Sequence, residues 1–466
     1  MRMSVVGCGH LGATHAACMA SIGHEVIGVD IDGGKVDLLN SGKAWFHEPG
    51  LDLLLAEGIR AGRLRFTTDF SEAGQFATVH FVGVATPGGR DGSYDLSQLH
   101  AAVSSLVPHL KGESFIIGKS TVPPGTAAKL QAMVEGMLPP GSLRAEVVWN
   151  PEFLREGCAV QDTLRPDRIV VGAISAEAAR MVREIYRPLT EAGIPLLMTD
   201  LPTSELAKGA ANAFLATKIS FINAMADVCA ATNADISVLA RSLGLDPRIG
   251  PAFLKAGIGY GGACLPKDVR GLTAFAQNVG ADNAAMLLSA VDTVNASRSG
   301  RVVSLVQEAT GEVRGKRVAI WGASFKAGTD DVRDSAGLHV ADQLHKLGAT
   351  VTVYDPMGSG NALVSFPELA YSDSAITAAT RADVIVVVTP WPEFAGVDAA
   401  KVAEVVSNKK IVDACQAISI TAWCEAGWQV RSVTGLHAGQ SEGDPAAAAV
   451  LPPATASDPA AALFRY

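Results

Sequence analysis

Short apolar runs alternate with longer amphipathic stretches through the first third of the chain. Residues 3–7, 25–30, 78–84, 114–119 and 146–149 are apolar runs of strand length, and 11–21, 33–40 and 96–110 carry helical patterns between them. Strands alternating with helices predict a parallel, doubly wound sheet. The pattern returns near Gly315, with strand candidates at 317–321, 350–354, 383–388 and 409–412. The two regions echo each other. Each opens with an apolar strand and a glycine turn. Each second strand ends in aspartate (Asp30, Asp355), and each has a later strand that ends in Thr-Pro (Thr86-Pro87, Thr389-Pro390). Between them, residues 203 to about 300 read as helical throughout, with Ser204 as the expected N-cap of a long helix carrying Phe214, Ile219, Ile222 and Val228. The predicted fold is α/β: two Rossmann-like doubly wound parallel-sheet domains joined by a central helical region with a long linker helix. The expected divisions are 1–202, 203–300 and 315–437, followed by an Ala/Pro-rich stretch at 438–466 that lacks a core pattern and is expected to be disordered.

Composition narrows the class. A chain of 466 residues can bury more than one core. A formal net charge of −9 argues against a general nucleic-acid binder. It leaves room for an anionic small ligand, which a few local cations and helix N-termini can hold. The N-terminus enters a strand without a signal-peptide cleavage region, and no apolar run is expected to reach transmembrane length, so no membrane partner is expected. The seven cysteines are odd in number, sparse and without a CxxC pair. That predicts reduced thiols, no structural metal and a cytoplasmic location.

Gly7-Cys8-Gly9-His10-Leu11-Gly12 fits G-x-G-x-x-G between an apolar strand and a helix, with Asp30 ending the next strand. Gly7 permits the tight turn, Gly9 the approach of a pyrophosphate, and Gly12 close helix–strand packing. Asp30 is placed to accept from ribose hydroxyls and would repel a 2′-phosphate, which favours NAD over NADP. Lys35 reads either as an adenosine contact or as a solvated lysine. Cys8 and His10 read as packing residues.

A second constellation runs from Gly257 to Asp268, where glycines crowd the approach to Cys264 and Lys267 and Asp268 follow it. Nearby positive charge favours a thiolate. Cys18, Cys158, Cys229, Cys415 and Cys424 read instead as small buried hydrophobes. Glu205, Lys208 and Asn212 share a helix face, which by spacing alone is a solvated face. The stretches KSTVPPGT (119–126) and NPEFLREG (150–157) each follow an apolar strand, where open α/β sheets bind ligands.

In this order, GCGHLG, VDID, ATP, KSTVPPGT, NPEFLREG, ELAKGAANAFLATKISFINA, DPRIGPAFLKAGIGYGGACLPKD and ASFKAGTDDVRDS resemble the UDP-glucose/GDP-mannose dehydrogenase family, from residue 5 to about 335 and more weakly to about 435. The resemblance implies an NAD-dependent oxidation of a nucleotide-sugar C6 hydroxymethyl group to a carboxylate, with UDP-glucose as the expected substrate. Cys264 would be the nucleophile. Lys208 and Asn212 would sit at the reacting C6, Asp268 and Glu152 on the water and proton path, and Thr121 by the nicotinamide. With the glycine loop and Leu11, the residues Asp30, Lys35, Thr86, Thr121, Glu156, Lys267 and Arg333 would contact NAD. Glu152, Phe153, Leu154, Arg155 and Glu156 would hold the sugar nucleotide. So would Phe253, Leu254, Lys255, Ala256, Gly257, Gly261 and Lys326. Arg248 would reach the substrate of a neighbouring subunit, so a homodimer or higher homo-oligomer is expected. Ala85, Ala263, Leu265 and the turn 413–416 depart from the family pattern. They leave a TDP-glucose or GDP-mannose type sugar open, beside a non-catalytic nucleotide-sugar-binding regulator.

Overall fold

The computed structural model describes residues 1–139 and 144–435. The stretch 438–466 lies outside the described residues. The first sheet has eight strands in the order β3-β2-β1-β4-β5-β6-β7-β8. They are β1 (Arg2–Val6), β2 (Glu25–Val29), β3 (Leu64–Thr67), β4 (Val79–Val82), β5 (Ser114–Gly118), β6 (Ala145–Trp149), β7 (Ile169–Gly172) and β8 (Leu196–Thr199). Its central strands are buried on both faces, as parallel strands covered by helices must be. The sheet is not wholly parallel. β7 pairs antiparallel with β6, and β8 then runs parallel to β7. The second sheet is parallel throughout, in the order β11-β10-β9-β12-β13-β14. Its strands are β9 (Arg317–Trp321), β10 (Thr350–Tyr354), β11 (Ala370–Tyr371), β12 (Val384–Val387), β13 (Lys410–Asp413) and β14 (Gln429–Ser432).

The linker helix Leu201–Thr232 starts earlier than expected. Asp200, not Ser204, is the N-cap: its carboxylate accepts from Thr203 N at 2.7 Å, and Pro202 sits in the first turn. Ser204 is buried inside the helix and bonds Leu201 O. The central region is also not helical throughout. Between the helices Ile236–Leu245 and Leu265–Asn278 lies a glycine-rich loop that ends at Cys264, and the following helix runs on to Thr310 (Asp282–Thr310). By length and composition Leu201–Thr232 is apolar enough to cross a membrane, contrary to the expectation that no run reaches that length. Its buried Glu205, Lys208, Asn212 and Asn223, and its packing against both neighbouring helices, make it a core helix.

Two buried histidines, His80 and His15, make the stability of the fold pH-dependent. His80 lies in β4, with Nδ1 bonded to Ser4 Oγ at 2.7 Å and Nε2 without a partner. Burial lowers its pKa to about 4. Burial, then the Lys119 charge, lowers that of His15. The folded state excludes protons that the unfolded chain binds below about 6.5. This stability is complete above that value and falls as pH drops towards about 4. The urea midpoint is expected to fall across this window, and His80→Gln to flatten the fall. An equal slope in the variant would show that His80 does not contribute.

Candidate active site

The glycine loop joins β1 to the helix His10–Ser21. Gly7 has φ of 87°, and a methyl on Gly12 would lie 1.7 Å from Gly7 O. Gly12→Ala is therefore expected to cost about 3 kcal/mol or more of stability, by forced overpacking; an unchanged melting temperature would contradict this. A methyl on Gly9 would meet nothing within 4 Å, so that side of the loop is open. Asp30 Oδ2 accepts from Cys8 N at 2.8 Å and Oδ1 from Asp32 N at 3.1 Å. Each oxygen keeps acceptor capacity for a ribose hydroxyl. The Lys35 ammonium lies 4.8 Å from the Trp45 ring centre, and Trp45 Nε1 donates to Cys8 O at 3.5 Å. Trp45 thus borders the cradle, a position that sequence reasoning missed. His10 stacks on Phe46 and bonds Glu48 at 3.0 Å. Thr86 Oγ1 donates to Thr121 O at 2.8 Å, joining the loops after β4 and β5. An open loop, a helix N-terminus and an acid with spare acceptors fit a dinucleotide.

The echo in the second sheet does not offer the same fit. Asp355 accepts from the backbone amides of Ala323, Ser324, Met357 and Gly358, from Ser324 Oγ, and from Trp391 Nε1 at 2.9 Å. Its carboxylate is consumed internally, so the acid that would read a ribose in the first sheet is a structural hub in the second.

The second constellation gathers at the helix Leu265–Asn278, whose N-cap position is Cys264. Asn212 Nδ2 donates to Asp268 Oδ2 at 2.6 Å, and Lys267 Nζ to Asp268 Oδ1 at 2.7 Å. Lys208 Nζ lies 3.2 Å from Glu152 Oε1. The helix face carrying Lys208 and Asn212 is therefore buried and not solvated. Glu205 plays a separate, structural part. It accepts from Gly125 N at 2.7 Å and Ala127 N at 2.5 Å, capping the helix Thr126–Met137.

Cys264 is a free thiol open to solvent. Crowding by surrounding protein pushes it up to about 12; the Glu152 and Asp268 carboxylates add to this and Lys208 opposes it. Burial first, and then the neighbouring carboxylates, outweigh Lys208, so the surroundings favour the thiol, against the expectation that nearby positive charge favours a thiolate. Burial alone would lower the Lys208 pKa, but Glu152, Cys264 and Asp268 together raise it. Lys208 is thus a persistent cation at the centre. Cys158 is exposed and Cys424 half-buried, which corrects their reading as buried hydrophobes.

The loop before Cys264 is clamped by residues that the sequence did not single out. Asn223 Oδ1 accepts from Gly257 N at 2.7 Å, while Asn295 bonds both Tyr260 N (2.8 Å) and Tyr260 O (2.9 Å). The buried Arg298 donates to Gly257 O at 3.3 Å and pairs with Asp227 at 2.9 Å. Polar residues inside otherwise apolar helices were the available signal.

The expected sugar-nucleotide residues form a broader rim. Lys255 Nζ donates to Gln416 O at 3.2 Å, and Gln416 Nε2 to Ala256 O at 2.7 Å. Leu254 and Ala256 are buried, and Phe253 has φ of 65°. A methyl on Gly261 would lie 2.2 Å from Asp334 O. Lys326 Nζ donates to Glu156 O at 2.5 Å, and Arg333 Nη2 lies 3.2 Å from Glu156 Oε1. Burial pushes the Glu156 carboxyl up, and Asp331 beside it adds to this. Leu154 N donates to Glu152 Oε2 at 2.6 Å, and the Phe153 ring is approached by Arg168 at 4.0 Å and Lys208 at 5.6 Å. Two cations stand apart from this rim. Arg155 pairs with Asp162 at 2.7 Å and Arg248 with Asp246 at 2.6 Å, both on the surface.

Comparison with known proteins gives the family. The models for the UDP-glucose/GDP-mannose dehydrogenase family match at residues 1–190 (NAD binding domain), 202–297 (central domain) and 319–420 (UDP binding domain). A UDP-glucose 6-dehydrogenase of Rhizobium meliloti is 41% identical over 419 residues, covering 89% of this chain and 94% of that one. A solved UDP-glucose dehydrogenase from Pyrobaculum islandicum is 34% identical with a TM-score of 0.86, covering 93% of this chain and 97% of its own. A UDP-D-ManNAc dehydrogenase from Pyrococcus horikoshii is 26% identical with a TM-score of 0.82, covering 93% and 99%. The chain belongs to the UDP-glucose/GDP-mannose dehydrogenase family and is an NAD-dependent nucleotide-sugar dehydrogenase.

Proposed function

We propose that this enzyme oxidises UDP-glucose twice at C6: UDP-glucose, two NAD⁺ and water give UDP-glucuronate, two NADH and three protons. The observation that carries the reading is the convergence of Lys208, Glu152, Asn212 and Asp268 around the exposed Cys264 thiol. Residues 1–202 would hold the cofactor, 315–437 the nucleotide, and 203–300 would link them. NAD, when bound against Gly9, Asp30, Lys35, Thr86, Thr121, Glu156, Lys267 and Arg333, accepts a hydride from C6 in each oxidation.

The chain's own groups account for the rest. The Lys208 cation and the Asn212 amide stabilise developing charge on the C6 oxygen. The aldehyde formed first lacks a hydride that can leave to give an acyl product directly. Cys264 supplies the route: its thiol proton passes to a neighbouring carboxylate, sulfur adds to the aldehyde carbon, and a thiohemiacetal forms. The thiohemiacetal hydroxyl then gives its proton to a neighbouring carboxylate, and thence to solvent, as the second hydride leaves the carbon; the thioester so formed on Cys264 is hydrolysed by water. Thr121, Glu152 and Asp268 would hold and deprotonate that water. The helix N-terminus at Cys264 favours each sulfur anion as it forms.

The linker helix leaves Leu206, Phe214, Phe221 and Val228 exposed, about two turns apart. This stripe supports a dimer in which Arg248 reaches the neighbour's substrate. The free cysteines fit a reducing cytoplasm. A panel of UDP-, TDP- and GDP-sugars, followed by NADH formation, tests the substrate. UDP-glucose is expected to give the highest kcat/KM; a higher value for another sugar would overturn that assignment.

A further inference from the structure

One buried cation stands behind the reacting groups without being one of them. Lys119 follows β5 directly and is 7% exposed. Its Nζ donates to Asn150 Oδ1 at 3.0 Å and Asn150 O at 3.4 Å, and it faces the Phe81 ring at 5.7 Å. Asn150 follows β6 and is held on every side. Its N donates to Gly118 O at 2.8 Å, its Nδ2 to Val170 O at 2.8 Å, and its Oδ1 accepts from the Tyr186 hydroxyl at 2.6 Å. Burial pulls the Lys119 pKa down to about 8, with Glu152 opposing and Lys208 adding to the fall. An apolar side chain would fill this space without the cost of desolvating a charge, so stability does not explain the lysine.

Its position does. Thr121 lies two residues beyond Lys119, and Glu152 two residues beyond Asn150. The Lys119–Asn150 brace ties together the two loops that carry them. We propose that Lys119 is a positioning residue for the hydrolytic half of the reaction, setting Glu152 and Thr121 relative to each other so that water reaches the acyl carbon on Cys264. This rests on the covalent reading above. In that step the water oxygen bonds the acyl carbon, the C–S bond breaks and sulfur leaves as thiolate. One water proton passes through Glu152 to the sulfur, and the other ionises from the product carboxyl.

The test uses the full-length enzyme with UDP-glucose and NAD, following NADH in the first turnover and the mass of the Cys264 peptide after acid quench. Lys119→Met is expected to lower kcat on the order of 10²-fold through misplacement of the water-holding loops. KM for the sugar nucleotide should fall along with kcat, so that kcat/KM changes little. NADH should appear in a burst, a sugar-acyl adduct should accumulate on Cys264, and Lys119→Arg should restore part of the rate. Tyr186→Phe, which keeps the ammonium and removes one bond to Asn150, should show the same pattern more weakly, and it decides the matter if Lys119→Met does not fold. Slow turnover without burst or adduct would overturn the inference, as would unaltered kcat. Failure of the covalent reading shows separately, as one NADH per sugar from the wild-type enzyme.

Discussion

Cys264→Ser is expected to lose turnover by at least ~10³-fold while still binding the sugar nucleotide, because removing a nucleophile abolishes a step that no neighbour can replace. Serine is the informative choice. It keeps the size and the N-cap position at the helix Leu265–Asn278. An alkoxide is a poorer leaving group than a thiolate, so even an acyl-serine would hydrolyse slowly. The Cys264 thiol sits among Glu152, Asp268 and Glu156, with Lys208 as the opposing cation. A serine hydroxyl in that setting would ionise far less readily. Titration of the sugar nucleotide by calorimetry, beside steady-state NADH formation, separates binding from turnover. Near-normal turnover would remove Cys264 from the chemistry.

Lys208→Ala should do two kinds of damage. Its ammonium lies 3.2 Å from Glu152 Oε1; Lys208 is buried and Glu152 is largely shielded from water. Removing one partner strands the other charge, at a cost of about 3 kcal/mol. Removing the cation from the reacting oxygen should lower kcat/KM by a further ~10²–10³-fold. The two effects are distinguished by Lys208→Met, which fills the volume, and by kinetics well below the melting temperature. Loss of stability with intact kcat/KM would make Lys208 structural only.

Local features of the site were legible in the sequence; long-range ones were not. Gly7, Gly9, Gly12 and Asp30 act within one strand–turn–helix–strand unit, so their spacing sufficed to place them. Lys208, Asn212, Cys264 and Asp268 were visible as motifs, but spacing alone assigned the helix face to solvent. What buries it is a partner from another element, Glu152 for Lys208 and Asp268 for Asn212. The antiparallel turn of β7 escaped because Ile169–Gly172 is too short to show direction, and apolar runs carry none. The cap at Asp200 has a local signal, an aspartate before Leu-Pro, but Ser204 four residues on is an equally good capping residue type, and spacing does not choose between them. The Lys119–Asn150 brace joins two strand ends, which no periodicity reveals. The glycine turn and strand-end aspartate recur in both sheets, yet only the folded structure shows that the Asp355 carboxylate is taken up by its own loop amides, Ser324 Oγ and Trp391 Nε1.

The central claim is that one centre carries both oxidations through Cys264. Its most direct test is the stoichiometry of NADH against UDP-glucose consumed to completion by the wild-type enzyme, with the sugar product identified by mass. Two NADH per sugar and a uronic acid are predicted, with no free aldehyde released. One NADH per sugar with aldehyde in solution would contradict the claim.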